Sequence, residues 1–539
     1  MLSGVRLLKL QRCCGDALPC VARLHVVPEL FSKLQVKVKE NPRRFRRKKW
    51  LQTAHPGKMS ERKIGPPIIK CKNEELNHYK SLTYGKFDVI PLASKGWLHR
   101  KSKGDYFVIH EHSQIPARSE QPASFLDLGL SEEVVGILRR SGITEPTQIQ
   151  EAGIPAVSSG RNVLLAAETG CGKTLAYLLP LVQQLAAAAA GDSAPGDPFN
   201  SPLALVVTPS RELAAQIGEL ANNFSRSLLF ASKYLVGGRT KRKMMNPSFE
   251  KVDLLVASLG ALSKLTSAGV YNMKRVRHIV LDEADTLLDD SFNEKLRHFL
   301  RRFPLQVTDG VNERRTQLTL VSATLPTSIP EILGDLIVPE SLERVTTGRL
   351  HRIMPHVPQR FVRLGLSQRP AELLRLARAD FENKVPVIVF SNKSATSDWV
   401  SMFLNENGVD CVNLNKDMPL ALRKGVFEKF QRGEANVISC TDIGSRGLDT
   451  VRVKHVINYE FPLYMADYIH RCGRTGRVGS LEGCHVTNFV SGKLDVKLVQ
   501  AIELAARTTD ALPNVNANIS RVIGFRALKA VRQRGEMTE

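Results

Sequence analysis

Two series of short, β-rich apolar segments, separated by helical stretches, constrain the fold of this chain most strongly. The first series lies at 163–166, 203–207, 254–257, 278–281 and 318–321, and the second at 361–364, 385–390, 436–440, 453–457 and 484–489. Strands that alternate with helices predict parallel sheets covered by helices on both faces. The pattern therefore predicts the α/β class, with two parallel-sheet domains in tandem.

Length and composition set the number of domains. The chain has 539 residues, of which 43% are hydrophobic and 24% are charged. This composition is ordinary for globular proteins, and the length is enough for roughly two to four domains. We predict a first domain at 125–345, a linker at 346–358 and a second domain at 359–511. Residues 186–202, Ala-rich and then rich in Gly, Asp, Ser and Pro, are predicted to form a surface insertion.

The cysteines and the apolar runs argue against two classes of protein. The nine cysteines are scattered and never form a C-x-x-C pair. Their spacing indicates neither a disulfide framework nor a zinc site, which fits a reducing compartment. No stretch reaches the roughly 18 uninterrupted apolar residues of a membrane span. We therefore expect a chain without a membrane span.

The net charge is strongly basic, and most of the excess precedes the first domain. The formal charge is +23, and residues 1–124 carry 25 basic and 10 acidic side chains. Six basic residues lie at 43–49 around Phe45 and beside Trp50, a composition that binds nucleic-acid phosphates and stacks on exposed bases. The same run is also typical of a nuclear localisation signal or of a solvated tether, and the sequence leaves the three open.

Basic segments are predicted on both sides of the two domains. We predict a basic, partly disordered extension at 28–124, within which residues 51–124 are polar and weakly periodic, so that their fold is left open. A basic tail is predicted at 512–539. Its Arg and Lys residues recur at near-helical spacing, which is typical of a nucleic-acid contact or of a solvated helix face.

Residues 1–27 have the composition of a mitochondrial transit segment. They carry four basic side chains and a single acid, Asp16, and several leucines that can lie along one side of a short helix. Transit peptides are amphipathic, Arg-bearing and poor in acids. The alternative is a disordered basic leader that is not a targeting signal. We predict the mitochondrial matrix, with an additional nuclear or nucleolar pool left open by the cluster at 43–49.

The segment 167–174 has the composition of a phosphate-binding loop. It follows the predicted strand 163–166 and opens a helix. Glycines let backbone N–H groups turn toward phosphates, Lys173 supplies a charge to the terminal phosphates, and the Thr174 hydroxyl can ligate Mg²⁺. We predict that the loop binds ATP through Ala167, Glu168, Thr169, Gly170, Cys171, Gly172, Lys173 and Thr174.

A second motif, which is rich in acids, lies at 282–285. It directly follows the predicted strand 278–281, at the edge where open α/β sheets place their ligands. Asp282 is predicted to hold Mg²⁺ with Thr174, partly through water. Glu283 is predicted to orient and deprotonate the water that attacks a phosphoanhydride. Acids also favour the start of an exposed helix electrostatically, but together with the phosphate loop they predict hydrolysis of a nucleoside triphosphate.

These motifs and several others resemble the DEAD-box RNA helicases of superfamily 2 over residues 125–490. The resemblance implies two RecA-like domains and an RNA-stimulated ATPase that locally unwinds or remodels RNA. It assigns adenine recognition to Phe125, Gly142, Pro146, Thr147 and Gln150, RNA contact to Thr208, Arg211, Gly237 and Gly238, and coupling of hydrolysis to strand separation to Ser322, Ala323 and Thr324. The Gln150 amide can donate and accept at once, the pairing that reads adenine, so ATP is expected over GTP.

In the second domain, residues 441–449 and 468–477 resemble the fifth and sixth motifs of the family. The resemblance implies that Arg474 and Arg477 reach the γ-phosphate and that Asp449 touches the ribose. Guanidinium groups bind phosphate oxygens bidentately, and a finger that arrives with domain closure makes hydrolysis conditional on closure. The resemblance also assigns RNA contact to Arg423 and Thr441, and coupling to Asp285 and His470.

The sequence departs from the family pattern at two RNA-contacting turns. The family's T-P-G-R appears as Ser258-Leu259-Gly260-Ala261, and Leu420 stands where Gln usually precedes Arg423. Neither change touches the residues assigned to hydrolysis. We predict weaker RNA affinity of the two domains than is typical, offset by the basic segments.

Three functions follow from these patterns. The first is an RNA-dependent ATPase that separates short duplexes or remodels RNA and protein complexes. The second is a nucleotide-gated RNA clamp without productive unwinding, and the third is a P-loop enzyme acting on DNA or a small molecule. With its leader, the chain resembles the organellar branch of the family associated with assembly of the large mitochondrial ribosomal subunit. That resemblance implies ribosomal RNA and ribonucleoprotein assembly factors as partners of a monomeric core.

Overall fold

The computed structural model describes the two domains and part of the segment before them. The described residues are 67–79, 82, 84, 85, 87–111, 123–190, 199–236, 246, 248–288, 293–305, 315–325, 333, 334, 336–338, 341–415, 417–442, 450–477 and 482–515. The predicted leader, the basic cluster at 43–49, Gly237, Gly238, Asp449 and residues 516–539 of the tail lie outside them. Their assignments stay predictions.

The strands of the described residues are numbered in chain order. They are β1 Ile69–Cys71, β2 Tyr106–Ile109, β3 Val163–Ala166, β4 Ala204–Thr208, β5 Ser232–Leu235, β6 Leu254–Ser258, β7 His278–Leu281, β8 Gln317–Ser322, β9 Glu343–Thr346, β10 Gln359–Arg363, β11 Val387–Ser391, β12 Cys411–Leu414, β13 Val437–Thr441, β14 His455–Asn458 and β15 His485–Val490.

The α-helices are numbered in the same way. They are α1 Glu132–Arg140, α2 Gln148–Ser158, α3 Lys173–Ala190, α4 Arg211–Leu228, α5 Leu259–Ser267, α6 Ala284–Leu287, α7 Asn293–Leu300, α8 Arg369–Glu382, α9 Ser394–Glu406, α10 Leu420–Arg432, α11 Met465–Cys472 and α12 Lys493–Thr508. Among the helices that the structure describes, none is both long enough and apolar enough to cross a membrane.

The first domain is built on a sheet in the order β5-β6-β4-β7-β8-β3-β9, in which the described strands pair in parallel. Its central strands β4, β7 and β8 are mostly apolar and almost fully buried, because helices cover both faces. In β4, Val206 packs with α1 to α4 on one face, and the adjacent Leu205 packs with α5 to α7 on the other. The predicted α/β domain with helices on both faces is confirmed.

The second domain repeats this plan in a sheet of order β1-β2-β10-β15-β14-β11-β13-β12. The strands β10, β15, β14, β11, β13 and β12 pair in parallel in this order. The strands β1 and β2 are antiparallel additions at the β10 edge. The predicted class of two parallel-sheet domains is therefore confirmed, and the second sheet is mixed.

The antiparallel edge comes from residues 67–111, for which the sequence predicts no fold. Phe107 of β2 stacks on Phe361 of β10 with ring centroids 4.7 Å apart. The Glu503 carboxylate of α12 accepts hydrogen bonds from the Ser94 backbone N–H at 2.9 Å and the Ser94 hydroxyl at 2.6 Å. Arg507 pairs with Glu503 at 2.8 Å, and both side chains are fully buried. This segment is thus an integral part of the second domain.

One boundary within the first domain also differs from expectation. The predicted surface insertion at 186–202 begins too early, because α3 continues to Ala190. Alanine has the highest helix propensity, so the Ala-rich run extends the helix instead of interrupting it.

Candidate nucleotide and RNA site

The phosphate-binding loop connects β3 to α3 at the carboxyl end of the first sheet. Gly170 and Gly172 have φ values of +80° and +94°, a left-handed backbone that glycine adopts without strain. A Cβ at Gly172 would also lie 2.5 Å from Gln150 Nε2. The loop therefore requires glycine at these positions, and it leads into the N-terminus of α3, where a helix favours anions.

Lys173 begins α3 and folds back over the loop. Its Nζ donates to the carbonyl oxygens of Ala167 and Glu168 at 2.7 Å each. The Glu168 carboxylate in turn accepts from the Thr347 hydroxyl at 2.6 Å. The ammonium group thus lies within the loop, where a compact positive charge acts on phosphate oxygens.

Gln150 and Phe125, which are predicted to contact adenine, are occupied by contacts within the first domain. The Gln150 carbonyl oxygen accepts from the Thr147 backbone N–H at 2.9 Å, and its amide donates to the Gly172 carbonyl at 3.1 Å. Phe125 is buried in the core of the first domain. In this structure Gln150 fastens α2 to the phosphate loop, and the predicted contacts of both residues with adenine stay predictions.

Burial disfavours the reactive form of the thiols inside the two nucleotide motifs. It raises the pKa of Cys171 and raises the pKa of Cys472 to about 12. A thiol attacks as its thiolate, so this environment opposes a nucleophilic role for either side chain. The cysteines fill space within these motifs.

Asp282 follows β7 and is buried beside the phosphate loop. One carboxylate oxygen accepts from the Tyr177 hydroxyl at 2.9 Å, and the other accepts from the Glu283 backbone N–H at 2.8 Å. Burial, together with the neighbouring Glu283 carboxylate, raises the pKa of Asp282 to about 6. A cation beside Asp282 would lower this pKa again, because an opposite charge favours the charged form of a buried acid.

Glu283 has a strained backbone and a carboxylate held in the cleft. Its φ is 49° and its ψ is 50°, a left-handed conformation that costs a residue other than glycine roughly 1–2 kcal/mol. Its Oε1 lies 3.9 Å from Arg474 Nη2. Its Oε2 is buried without a hydrogen-bond partner in the part of the chain that the structure describes. Strain of this kind concentrates at functional sites.

Asp285 connects the two domains. Its carboxylate accepts hydrogen bonds from the Thr324 backbone N–H at 3.2 Å and from His470 Nε2 of the second domain at 3.0 Å. The Ser322 hydroxyl donates to the Thr324 carbonyl, and Ala323 is buried between them. The structure therefore brings together the five residues to which the sequence assigns coupling.

The arginines that follow His470 divide into one buried anchor and two cleft residues. Arg471 is 1% exposed and binds Asp442 bidentately at 2.6 and 2.7 Å. Arg474 and Arg477 instead lie against the first domain. A Cβ at Gly170 would meet Arg477 Cγ at 2.8 Å, and a Cβ at Gly473 would overlap the Thr169 hydroxyl. The second domain therefore touches the phosphate loop through this turn.

Comparison with known proteins identifies the family. The family model for DEAD/DEAH box helicases matches residues 147–332, and that for the helicase conserved C-terminal domain matches residues 368–479. The Probable ATP-dependent RNA helicase DDX28 of Mus musculus is 39% identical over 472 residues, which cover 84% of this chain and 87% of the relative. The chain belongs to the DEAD-box family of ATP-dependent RNA helicases. The Homo sapiens protein of the same name is 39% identical over 475 residues, with the same coverage of both chains.

Solved structures share the fold of the helicase. The structure of S. cerevisiae Dbp5 bound to RNA and ADP BeF3 matches with a TM-score of 0.59 at 24% identity, over 72% of this chain and 94% of that chain. Mss116p bound to ssRNA and AMP-PNP matches with a TM-score of 0.60 at 23% identity, over 73% of this chain and 79% of that chain. The RecA-like fold of both domains is confirmed, and family membership confirms an RNA-dependent ATPase that binds ATP and RNA.

The helicase's candidate RNA residues lie at the same carboxyl edges as the nucleotide residues. Thr208 ends β4 and stands in register with Ser258 of β6. Ser210, where the family usually has Thr, still caps α4 by accepting from the Leu213 N–H at 3.1 Å. Arg211 begins α4. Two helix N-termini, those of α4 and α5, are thus side by side, and such ends bind phosphates.

Two further candidate RNA residues belong to the second domain. Arg423 Nη1 lies 3.4 Å from Glu212 Oε1 across the two domains, with side chains 12% and 20% exposed. Thr441 ends β13 and is buried. Because Arg423 is held by Glu212, an RNA strand that uses Arg423 must compete with this ion pair. RNA contact by these residues stays a prediction.

The sequence reasoning missed two histidines of the segment between the domains. His351 Nε2 accepts from the Leu325 backbone N–H at 2.6 Å, directly after the coupling residues. His356 Nε2 contacts the Gly476 carbonyl at 2.8 Å, inside the arginine turn. No pattern in the sequence marks either residue, because each acts through a contact with a residue distant in the sequence, His351 with the first domain and His356 with the second.

Proposed function

We propose that this helicase hydrolyses ATP in the cleft between its two domains and that RNA makes the cleft competent by holding the domains together. The observation that supports this most directly is the set of contacts across the cleft. They join Asp285 to His470, Glu283 to Arg474, and the phosphate loop to the arginine turn. Each domain supplies a chemically different half of one site.

In this proposal Lys173, Arg474 and Arg477 bind the terminal phosphates, and Glu283 orients and deprotonates the attacking water. The buried Oε2 of Glu283 is a hydrogen-bond acceptor that can bind a proton of the attacking water,. Arg474 Nη2 lies 3.9 Å from the same carboxylate, which places its guanidinium beside the attacking water, and planar guanidinium groups bind phosphate oxygens. A phosphoryl group in the cleft would be stabilised by these charges in a site shielded from water.

The residues present also fit Mg²⁺. Asp282 supplies a buried carboxylate whose pKa of about 6 is raised by burial and by Glu283. Thr174 supplies a hydroxyl on the same side, since both residues contact the Tyr177 hydroxyl. Oxygen ligands of this kind suit Mg²⁺. When bound, Mg²⁺ would neutralise phosphate charge, and Asp282 and Thr174 are the residues that would hold it.

We further propose that the helicase acts on ribosomal RNA in the mitochondrial matrix, with ribonucleoprotein assembly factors as partners and a monomeric core. The acid-poor composition of residues 1–27 supports the compartment. The similarity to the named mammalian helicases supports an RNA role without naming the RNA. Phosphate contacts carry no sequence information, so the target must be selected outside the two domains.

The ATPase proposal is tested by turnover with and without RNA. The full chain should hydrolyse ATP slowly alone and much faster with single-stranded RNA, and a chain cut after residue 346 should lose the stimulation. Equal turnover in all three conditions would exclude a site shared by the two domains. A duplex-release assay with ATP and with a non-hydrolysable analogue then separates unwinding from clamping.

The compartment and the target need separate experiments. A fluorescent fusion should lie in mitochondria, and removal of residues 1–30 should release it to the cytosol or nucleus. An unchanged distribution would contradict the leader. Crosslinking the helicase to RNA in cells should enrich mitochondrial ribosomal RNA among the bound fragments, and enrichment of other RNAs instead would redirect the proposal.

A further inference from the structure

A cluster of three metal-ligating side chains lies in the second domain, away from the nucleotide cleft. His455 and His485 are the first residues of β14 and β15 and stand opposite each other in register. Asp380 lies near the end of α8. Because strands of a parallel sheet begin at one edge and end at the other, this cluster lies at the edge opposite to the nucleotide residues.

The ligand atoms of the three residues are close enough to share one ion. One ligand atom from each residue lies within 4.8 Å of the other two. Nδ1 of His455 is 2.6 Å from Asp380 Oδ2, and the two imidazole rings stack with centroids 3.9 Å apart. The three donors come from three different elements, so a bound ion would join α8 to two strands.

The remaining ring nitrogens already have the partners that metal-ligating histidines use. Nε2 of His455 lies 2.9 Å from the Thr487 hydroxyl, and Nδ1 of His485 lies 3.2 Å from the Gly483 carbonyl. A histidine that ligates a metal donates its other ring N–H to an acceptor of this kind, which fixes the tautomer and orients the ring. Both rings can therefore present a lone pair to one ion.

We propose that Asp380, His455 and His485 form a zinc site with three protein ligands and a water molecule in the fourth position. Two imidazoles and one carboxylate form a ligand set that suits Zn²⁺, whereas Mg²⁺ and Ca²⁺ prefer oxygen ligands alone. The scattered cysteines give no sign of this site, because its ligands are distant in the sequence and none is a thiol.

The site can be reached and can adjust to the ion. The Asp380 side chain is 14% exposed, whereas that of His455 is 1% exposed, so an ion would enter on the Asp380 side. Tetrahedral ligands with bonds of about 2.0–2.1 Å lie about 3.3 Å apart, so Asp380 must move away from His455 by a fraction of an ångström.

The competing interpretation is a hydrogen-bonded chain from Asp380 through His455 to Thr487 that needs no ion. The two interpretations differ in what zinc does to the protein. A ligand that binds only the folded state raises the free energy of unfolding by mass action, so zinc should raise the melting temperature of the wild-type helicase. A plain hydrogen-bonded chain should be indifferent to zinc.

The test measures zinc binding to the full chain, purified without a metal-affinity tag and stripped with a chelator. Titration with Zn²⁺ alone should show one tight equivalent and a higher melting temperature, and Co²⁺ should give the visible absorption of a tetrahedral site. In His485→Gln and Asp380→Asn the tight equivalent should be lost or weakened at least about tenfold. The matched control is His298→Gln, which removes an exposed imidazole in the first domain and should bind as the wild type does.

Each outcome decides the proposal. Absence of a tight equivalent in the wild type would overturn the proposal. Equal zinc binding in His485→Gln and the wild type would overturn it as well, because the ion would then be held by other residues. His485→Gln should keep RNA-stimulated ATP turnover, because His485 lies outside the cleft, and this activity verifies that the variant folds. Should it fail to fold, Asp380→Asn, whose side chain is partly exposed, gives the same measurement.

Discussion

The two domains have the same layered architecture but contribute chemically different side chains to the cleft. The first domain presents carboxylates, of which Glu283 and Asp285 face the second domain, and the second presents His470 and Arg474. Their side chains are between 5% and 16% exposed in this arrangement. A buried charge without a partner is costly, so each half is completed by the other. In the proposed function, the chemistry is thereby linked to the approach of the domains.

A second contrast lies within the arginine turn. Arg471 donates hydrogen bonds within its own domain, to Asp442, to Asn392 and to the Glu460 carbonyl. Arg474 contacts its own domain through the His470 carbonyl at 3.2 Å and reaches Glu283 at 3.9 Å. Two arginines three residues apart therefore serve different purposes, one in folding and one in the cleft.

Removal of the charge in the phosphate loop should have the largest effect. Lys173→Ala should lower ATP turnover by about 10²–10³-fold or more, because the terminal phosphates lose a preorganised positive charge in a shielded site. The measurement is steady-state phosphate release with saturating RNA. Lys274→Ala, which removes an exposed lysine of the same domain, is the control, and wild-type turnover in Lys173→Ala would refute the assignment of the loop.

The arginine contrast predicts two different kinds of loss. Arg474→Lys should lower kcat by about 10³-fold, in the range of a missing arginine finger, and leave the melting temperature almost unchanged. Arg471→Lys should instead destabilise the second domain, because a bidentate ion pair with Asp442 is broken in a buried site. Equal kinetic loss with equal stability in both variants would remove the distinction between anchor and finger.

The buried pair that holds residues 67–111 in the second domain should dominate its stability. Glu503→Gln leaves Arg507 buried without a counter-charge, which costs about 3–5 kcal/mol of unfolding free energy. Denaturant unfolding monitored by Trp97, which is buried in this segment, reports the loss. Glu406→Gln, at the end of α9 and exposed, is the control, and equal stability of the two variants would mean that the segment is dispensable.

The contact between Asp285 and His470 should affect coupling more than basal chemistry. A hydrogen bond to a charged group contributes about 1.5–3 kcal/mol, so His470→Ala should reduce RNA stimulation of ATP turnover by roughly 10- to 100-fold. Basal turnover without RNA should change much less. A parallel fall in both would indicate that His470 acts on the chemical step itself.

The same contact has a defined pH dependence. Burial alone would raise the pKa of Asp285, but His470 and the Thr324 and Ser322 hydroxyls lower it below its usual value. A depressed folded-state pKa stabilises the protein above the unfolded value of about 3.9, and this contribution is lost as the pH falls below it. The stability difference between wild type and Asp285→Asn should therefore shrink between pH 5 and the acid transition, and a constant difference would contradict the assignment.

The sequence predicted the centres of both sheets and missed their edges. The strands β3, β4 and β7 are almost entirely apolar because both faces are buried. The edge strands β5, β9 and β12 are short and partly polar, so no apolar run marks them. The edge formed by β1 and β2 was also not predicted. Its partner strand β10 is separated from β2 in the sequence by the whole first domain.

The site divides in the same way. Asp282 and Glu283 could be assigned because they directly follow a predicted strand, and Lys173 because it ends the glycine-containing loop after another strand. Local sequence therefore fixes where they lie. The strained backbone of Glu283 and the hydrogen bond from Gln150 to the Gly172 carbonyl could not be predicted from the sequence. Both depend on how separate segments pack. The histidines of the proposed zinc site were missed for that reason, since only the sheet register places His455 opposite His485.

The basic cluster at 43–49 should have the smallest effect on turnover. Its six charges are expected to act on RNA affinity through counterion release, with a salt slope of about 0.7 per phosphate contact on single strands. Replacement of all six by neutral residues should flatten the dependence of RNA binding on salt by up to about 4 in the logarithmic slope, while kcat at saturating RNA stays unchanged. The measurement is RNA binding across a salt series, with the tail lysines and arginines neutralised in a parallel variant. An unchanged slope in the first variant and a flattened one in the second would move the RNA contact from the leading segment to the tail, and the charge on the two domains would then be supplemented from the opposite end of the chain.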